Sequence, residues 1–158
     1  MKLRLPPIAS VALARLPNAS CDDCAAHLEI LDQNGNALTN GYVPGPNMNL
    51  RLVANKANVL NITAAAFAAM GNMSFEGAAP STNTPLIVNI VDAGDVTLTT
   101  YPGQGGIGDW VRSTLWDFPN AHTVRLQSGN DGVWGTVFAP AAHVISSVKI
   151  EGGVVAAR

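Results

Sequence analysis

Short runs of alternating polar and apolar residues dominate the chain. The segment Met48–Val53 places Met48, Leu50 and Leu52 on one side of an extended strand. In the last third, β-type runs such as Val124–Leu126 and Thr136–Phe138 recur at about every ten to twelve residues, with Gly, Asn and Pro turn signals between them. This spacing predicts an all-β fold in which each short strand stacks on the preceding one.

Two local signals interrupt the strand pattern. The Asn34-Gly35 pair follows the alternating run 27–31 and predicts a hairpin turn. The alanine-rich segment 63–70 predicts one short helix, with Thr63 as its N-cap and Gly71 closing it. Phe67 shares a face with Met70, so we expect this helix to dock on the core.

The length of 158 residues fits one domain with one core. Pro6, Pro7 and Pro17 exclude a regular helix near the N-terminus and favour an extended arm. We therefore divide the chain into residues 1–47, an arm and hairpin able to cover an edge or donate a strand, and residues 48–158, a β-solenoid-like unit. Residues 1–16 have the outline of a signal peptide, but Pro6-Pro7 interrupts the apolar run, so cleavage is not expected.

The composition excludes several classes of partner. Hydrophobic residues make up 47% of the chain and charged residues only 13%, with a net charge of −2. Scattered basic residues give no footprint for a nucleic acid. No apolar window reaches the ~18 residues that a membrane helix needs. These values are typical of a β-rich extracellular protein.

The segment Cys21-Asp22-Asp23-Cys24 is a C-x-x-C motif. A zinc site would need two further ligands, and His27 is the only candidate nearby. The acids between the thiols disfavour a reactive thiolate. A structural disulfide between Cys21 and Cys24 is the leading interpretation, with zinc binding and free or intermolecular thiols as the alternatives.

Other motifs fall short of a catalytic or cofactor site. The loop 103–108 spells G-x-G-x-x-G, but no helix and parallel βαβ unit follow it. Asp92, Asp95 and Asp109 match no calcium-loop spacing and are more typical of turns. His122 and His143 accompany no nucleophile motif. The sequence therefore predicts no catalytic residue, no metal site and no cofactor.

Aromatic side chains suggest a second possibility. Trp110 and Trp134 could face a ligand and stack on a sugar ring, whereas Trp116 is expected to pack in the core beside Phe118. Ice binding would require Thr at equivalent positions on successive coils. Because the only T-x-T is 97–99, ice binding is the less favoured alternative.

The C-terminal motifs LWDFPNAHTVRL, GTVFAPAAHV and IEGGVVAAR resemble those of the bacterial choice-of-anchor A domain. The resemblance covers residues 50 to 158. Within that range it includes the run 59–63 and the strand near Val88. The matching residues are Leu115, Trp116, Phe118, Pro119, Gly135, Val137, Ala139, Pro140, Glu151, Gly152 and Ala156.

The resemblance implies a bacterial surface β-solenoid-like module, similar in shape to ice-binding adhesins and without a catalytic site. Family members usually carry a longer N-terminal half, which we expect to be absent here or replaced by residues 1–47, and this leaves an open strand edge. Family members also carry a C-terminal anchor, which we do not expect in this chain. An open edge favours a homo-oligomer or a filament. The sequence thus predicts a non-enzymatic extracellular structural or adhesive protein, with a self-assembling fibre subunit as the sharper form. A module binding a surface glycan or a matrix protein is the alternative.

Overall fold

The structure is a computed structural model that describes residues 28–31, 34–37, 47–69, 72–99, 103–104, 109–127 and 132–157. The predicted proline-rich arm and the Cys21–Cys24 motif lie outside these residues.

Within the described ranges the chain is mostly β-strand, with one α-helix, Ala64–Ala68 (α1), and one 3₁₀-helix, Asp109–Ser113. The strands are Glu29–Leu31 (β1), Asn47–Arg51 (β2), Asn58–Ile62 (β3), Asn72–Phe75 (β4), Leu86–Ile90 (β5), Gly94–Leu98 (β6), Gly103–Gln104 (β7), Thr114–Asp117 (β8), Ala121–Leu126 (β9), Val133–Trp134 (β10), Thr136–Ala139 (β11), His143–Ser146 (β12), Ile150–Glu151 (β13) and Val154–Ala156 (β14).

A five-stranded sheet forms the centre of the fold, in the order β14-β11-β8-β5-β3. All of its strands run parallel. Their register aligns one residue from each strand in a single row, and side chains in such a row point to the same side of the sheet. The row consists of Leu60, Val88, Trp116, Val137 and Val154.

Three smaller sheets accompany it. β6, β9 and β12 form a parallel sheet, β10 pairs with β13, and β1 joins β2, β4 and β7 as an antiparallel edge strand. Successive passes of the chain, β4-β5-β6, β7-β8-β9 and β10-β11-β12, each add one strand to the five-stranded sheet and one to the sheet of β6, β9 and β12. The predicted predominance of β structure is confirmed, whereas sheets of this size do not by themselves establish a solenoid.

The space between the sheets is filled by one connected apolar cluster. Val88 and Trp116 from the five-stranded sheet, Val124 and Leu126 from β9, and Met48 from β2 all belong to it. Removing these side chains from water is the main favourable term for a fold with so few charges. The predicted single core is therefore present in the described part of the chain.

The opposite side of the five-stranded sheet is also largely buried. Its outer row holds Asn61, Asn89, Asp117 and Phe138 in register. Asn89 and Asp117 are 0% exposed and Phe138 is 5% exposed. The Asn89 side-chain amide donates a hydrogen bond to Oδ1 of Asn61 at 2.7 Å. On the same side, Ile87 and Leu115 are only half-buried, so part of this surface remains accessible.

The predicted short helix is confirmed as α1. The backbone N–H of Ala66 donates to Oγ1 of the N-cap Thr63 at 3.1 Å, and that of Ala64 donates to Oδ2 of Asp92 at 2.6 Å. Phe67 is buried and meets Trp116 edge to face, with 5.4 Å between ring centroids. The helix is shorter than the predicted span and ends at Ala68, while Met70 and Gly71 lie outside the described residues.

The hairpin expected at Asn34-Gly35 agrees with the described residues. An antiparallel bridge joins Leu31 and Ala37 across the turn, and Gly35 has a φ of 80°, which favours glycine. β1 then lies antiparallel on β2. This part of residues 1–47 thus covers one strand edge.

Two glycines allow successive strands to approach closely at one corner of the fold. Gly135 has a φ of 123°, and a Cβ there would lie 2.7 Å from the carbonyl oxygen of Thr114 and 2.8 Å from Nε1 of Trp116. A Cβ on Gly152 would overlap with the carbonyl group of Gly135. Only a hydrogen atom fits at these two positions.

Replacing Gly152 by alanine should therefore destabilise the protein by about 1–3 kcal/mol, since the added methyl group forces neighbouring backbones apart. Urea unfolding measures this change. The neighbouring Gly153→Ala is the matched control, because its Cβ would meet only Thr136 at an ordinary 3.5 Å. Equal stability of the two variants would contradict the close approach at Gly152.

Candidate binding face

The outer side of the sheet formed by β6, β9 and β12 is the candidate binding face. Its six outward residues form two rows in register, and neighbouring rungs of a sheet lie about 4.8 Å apart. Between these rows, Val96 and Val124 turn inward and are buried. We call this surface the contact face, and it consists of Asp95, Thr123 and His143 in one row and Thr97, Arg125 and Ile145 in the other.

Hydrogen bonds at the preceding corner position these strands. The backbone N–H of Gly94 donates to the carbonyl oxygen of Asn120 at 3.2 Å, and the Asn120 amide donates to the carbonyl oxygen of Val91 at 3.2 Å. Gly94 has a φ of 77°, and the register shifts between Gly94 and Asp95. This bulge sets the register from Asp95 onward, with Asp95 opposite Thr123.

The polar groups of the contact face are available to an outside partner. Asp95, Thr97 and His143 are exposed, and Thr123 and Arg125 are half-buried. In the part of the chain that the structure describes, no hydrogen bond or ion pair engages the side chains of these five residues. The face therefore presents hydroxyl, carboxylate, imidazole and guanidinium groups together with the apolar side chain of Ile145.

The outer side of β2 and β4 differs because its polar groups bind one another. The Ser74 hydroxyl donates to Oδ1 of Asn49. Arg51 donates to Glu29 at 2.5 Å and to Glu76 at 2.8 Å. Both bonds raise the pKa of Arg51, and the bond to Glu76 has the larger effect. This network ties β1 to the sheet and leaves fewer groups for an external ligand.

The residues that carry the family resemblance are structural. Trp116, Phe118, Pro119 and Ala139 are buried, as the core interpretation of Trp116 and Phe118 predicted, while Leu115 and Pro140 are half-buried. Gly135 and Gly152 stack at the corner described above. The described motif residues thus lie in the core and at this corner, and their purely structural role stays a prediction.

The two tryptophans proposed as ligand-facing have different outcomes. Trp134 is half-buried, and its carbonyl oxygen accepts a hydrogen bond of 2.6 Å from Nε1 of Trp116. The Trp110 side chain lies outside what the structure describes. An aromatic platform of two tryptophans therefore remains a prediction.

The acidic and histidine candidates occupy separate places. Asp92 accepts the hydrogen bond at the start of α1, His122 and His143 are exposed, and the Asp109 side chain is not described. Among the described residues, no three His, Cys, Asp or Glu side chains form a group that could hold a metal ion. Cys21 and Cys24 fall outside those residues, so their disulfide remains a prediction.

Sequence reasoning missed the contact face because its residues are far apart in the chain. The signal that could have located it is the similarity of the triplets 96–98, 124–126 and 144–146, each of which begins with a valine and has its outward residue second. Aligning these triplets would have placed Thr97, Arg125 and Ile145 in one row.

Comparison with known families agrees with an adhesive module. A family model described as "Putative Ice-binding-like adhesive domain" matches residues 9–158. The chain belongs to this family, whereas the finer resemblance to the choice-of-anchor A domain remains a prediction. No curated protein and no solved structure matches the chain. Within the described residues, no helix is long and apolar enough to cross a membrane.

The Trp116 indole predicts a measurable contribution to stability. Trp116→Phe should lower the free energy of unfolding by about 1–3 kcal/mol, because the partly buried carbonyl oxygen of Trp134 loses its donor. Urea unfolding provides the measurement. Leu115→Met, at the adjacent half-buried outward position, is the control and should change little. An unchanged midpoint for Trp116→Phe would refute a stabilising role for this bond.

Proposed function

We propose that this chain is a non-enzymatic extracellular adhesive module that binds its target through the contact face. The observation that carries the proposal is the set of polar side chains on β6, β9 and β12 that no described residue engages. Membership of an adhesive domain family supports the same assignment. An ordered sheet holds such groups at fixed spacing, so binding requires little further ordering of the protein.

A surface glycan suits the chemistry of this face best. Hydroxyl, imidazole and guanidinium groups can donate hydrogen bonds to sugar hydroxyls, and Ile145 supplies an apolar contact that is 38% exposed. A matrix protein is the alternative target. Ice is less favoured, because the two rows mix Asp, His, Arg and Ile with Thr instead of repeating Thr on each rung.

Three finer assignments belong to the same proposal. The parallel strands and the rows continuing from β3 to β14 support a solenoid-like stack for residues 48–158. The close approach of Trp116, Gly135 and Gly152 at one corner is consistent with a choice-of-anchor A module on a bacterial surface. The antiparallel pairing of β1 with β2 supports a covering role for residues 1–47.

Self-assembly into a fibre is a further part of the proposal. A fibre requires two complementary open ends on each copy. β14 offers an outer edge to which a strand could be added. At the opposite end, β1 and α1 occupy positions beside β2 and β6, so assembly through both ends is the less supported version.

A binding assay with paired variants tests the contact face. The variant with Thr97→Ala and Arg125→Ala should bind about tenfold more weakly than the unmodified chain, since roughly 1.4 kcal/mol of hydrogen bonding is lost. Retention on insoluble cellulose, chitin and peptidoglycan, on collagen-coated surfaces and on ice measures this change and identifies the class of target.

The matched control carries Thr82→Ala and Lys56→Ala, which remove one hydroxyl and one positive charge from exposed positions off the contact face. This control should bind like the unmodified chain. If both double variants bind equally well while remaining folded, the contact face is not the binding surface.

A further inference from the structure

The last described strands present three edges close together in the sequence. β14 is the outermost strand of the five-stranded sheet, β12 is the outermost strand of the sheet with β6 and β9, and β13 pairs only with β10 among the described residues. All three strands lie within residues 143–156. We call them the terminal edge. The outer N–H and C=O groups of such strands form a template for pairing.

Rows that are buried elsewhere become exposed at the terminal edge. Val154 continues the row of Leu60, Val88, Trp116 and Val137, which are at most 3% exposed, yet Val154 is 48% exposed. Val144 is likewise only half-buried, although its row partners Val96 and Val124 are buried. Apolar side chains in core rows are left uncovered here because no further strand lies beyond them within the described residues.

The opposite end of the stack is partly occupied. β1 lies antiparallel on β2, and α1 lies beside β6, with Phe67 buried against Trp116. A following copy would have to add its strands beside β2 and β6, and β1 and α1 already lie at those positions. Head-to-tail stacking, with the terminal edge of one copy on the opposite end of the next, is therefore opposed by the fold.

The terminal edge is compatible with a copy of itself. A two-fold axis beside β14 would place it antiparallel to β14 of a second copy, and antiparallel pairing is a favourable arrangement for two strand edges. Lys149 and Glu151 form an ion pair at this end, and their side chains are 72% and 34% exposed. Because these two charges offset each other within one copy, the pair brings no net charge to the contact and like-charge repulsion from it does not oppose the dimer.

We propose that two copies of this chain form a closed dimer through the terminal edge, with β14 of one copy antiparallel to β14 of the other. The dimer is a closed form of self-assembly that takes the place of the fibre, and it does not depend on the contact face. It buries Val154 of both copies, and it leaves Thr97 and Arg125 open for binding. An adhesive module would then present two contact faces, which raises its avidity for a repetitive target.

Sedimentation equilibrium of the full chain over a wide concentration range tests the dimer without any ligand. Val154→Lys should raise the dissociation constant of the dimer about tenfold or more, because it brings two positive charges into the contact. Ala156→Pro should act similarly, since the backbone N–H of residue 156 faces away from β11 in this parallel register. Urea unfolding shows whether each variant keeps its fold.

Val53→Lys is the matched control, because Val53 is a 37% exposed valine outside the terminal edge. The expected result is a dimer for the unmodified chain and for Val53→Lys, with folded monomers for Val154→Lys and Ala156→Pro. If Val53→Lys also dissociates, the contact between copies extends beyond the terminal edge. That result would overturn the two-fold dimer in favour of head-to-tail assembly. A monomer for the unmodified chain at all concentrations would overturn it and assign the edge to a different partner.

Discussion

Parallel pairing in a fixed register is the constraint on which this structure depends. When β3, β5, β8, β11 and β14 align, each inward position must be apolar or have its polar group hydrogen-bonded, since an unpaired polar group there would be buried without water. Asn58 is such a buried polar residue, and its side chain hydrogen-bonds backbone groups of Val53 and Lys56. The row from Leu60 through Trp116 to Val137 meets this requirement. The same register fixes which residues form the outer row of this sheet. Parallel pairing also aligns β6, β9 and β12, so the core and the contact face both depend on it.

Close stacking imposes a second requirement on the corners. Gly135 and Gly152 provide the space in which successive backbones meet, and the Trp116 side chain lies next to Gly135 while its indole donates to the carbonyl oxygen of Trp134. The outer row solves a related problem with Asn61 and Asn89, whose side chains hydrogen-bond across adjacent strands. Few charges are needed, because burial and such short polar contacts supply most of the stabilisation.

Binding and assembly occupy different parts of the fold. The contact face lies on the outer side of β6, β9 and β12, where side chains point away from the core. The terminal edge exposes backbone groups and the ends of core rows instead. A ligand on the face and a second copy at the edge would use different chemistry, side-chain hydrogen bonds in one case and strand pairing with apolar burial in the other. One small domain could therefore support both without competition.

The sequence by itself determined the local features: the strands near Val88 and Val124, the hairpin at Asn34-Gly35, the helix capped by Thr63 and the core roles of Phe67 and Trp116. Alternation, turn residues and capping residues act over a few positions, so they can be recognised without a fold. Only the tertiary structure decided which strands pair, because pairing over long chain separations depends on packing and corner geometry rather than on local periodicity. For that reason the contact face, which joins Thr97, Arg125 and Ile145, became visible only in the folded chain.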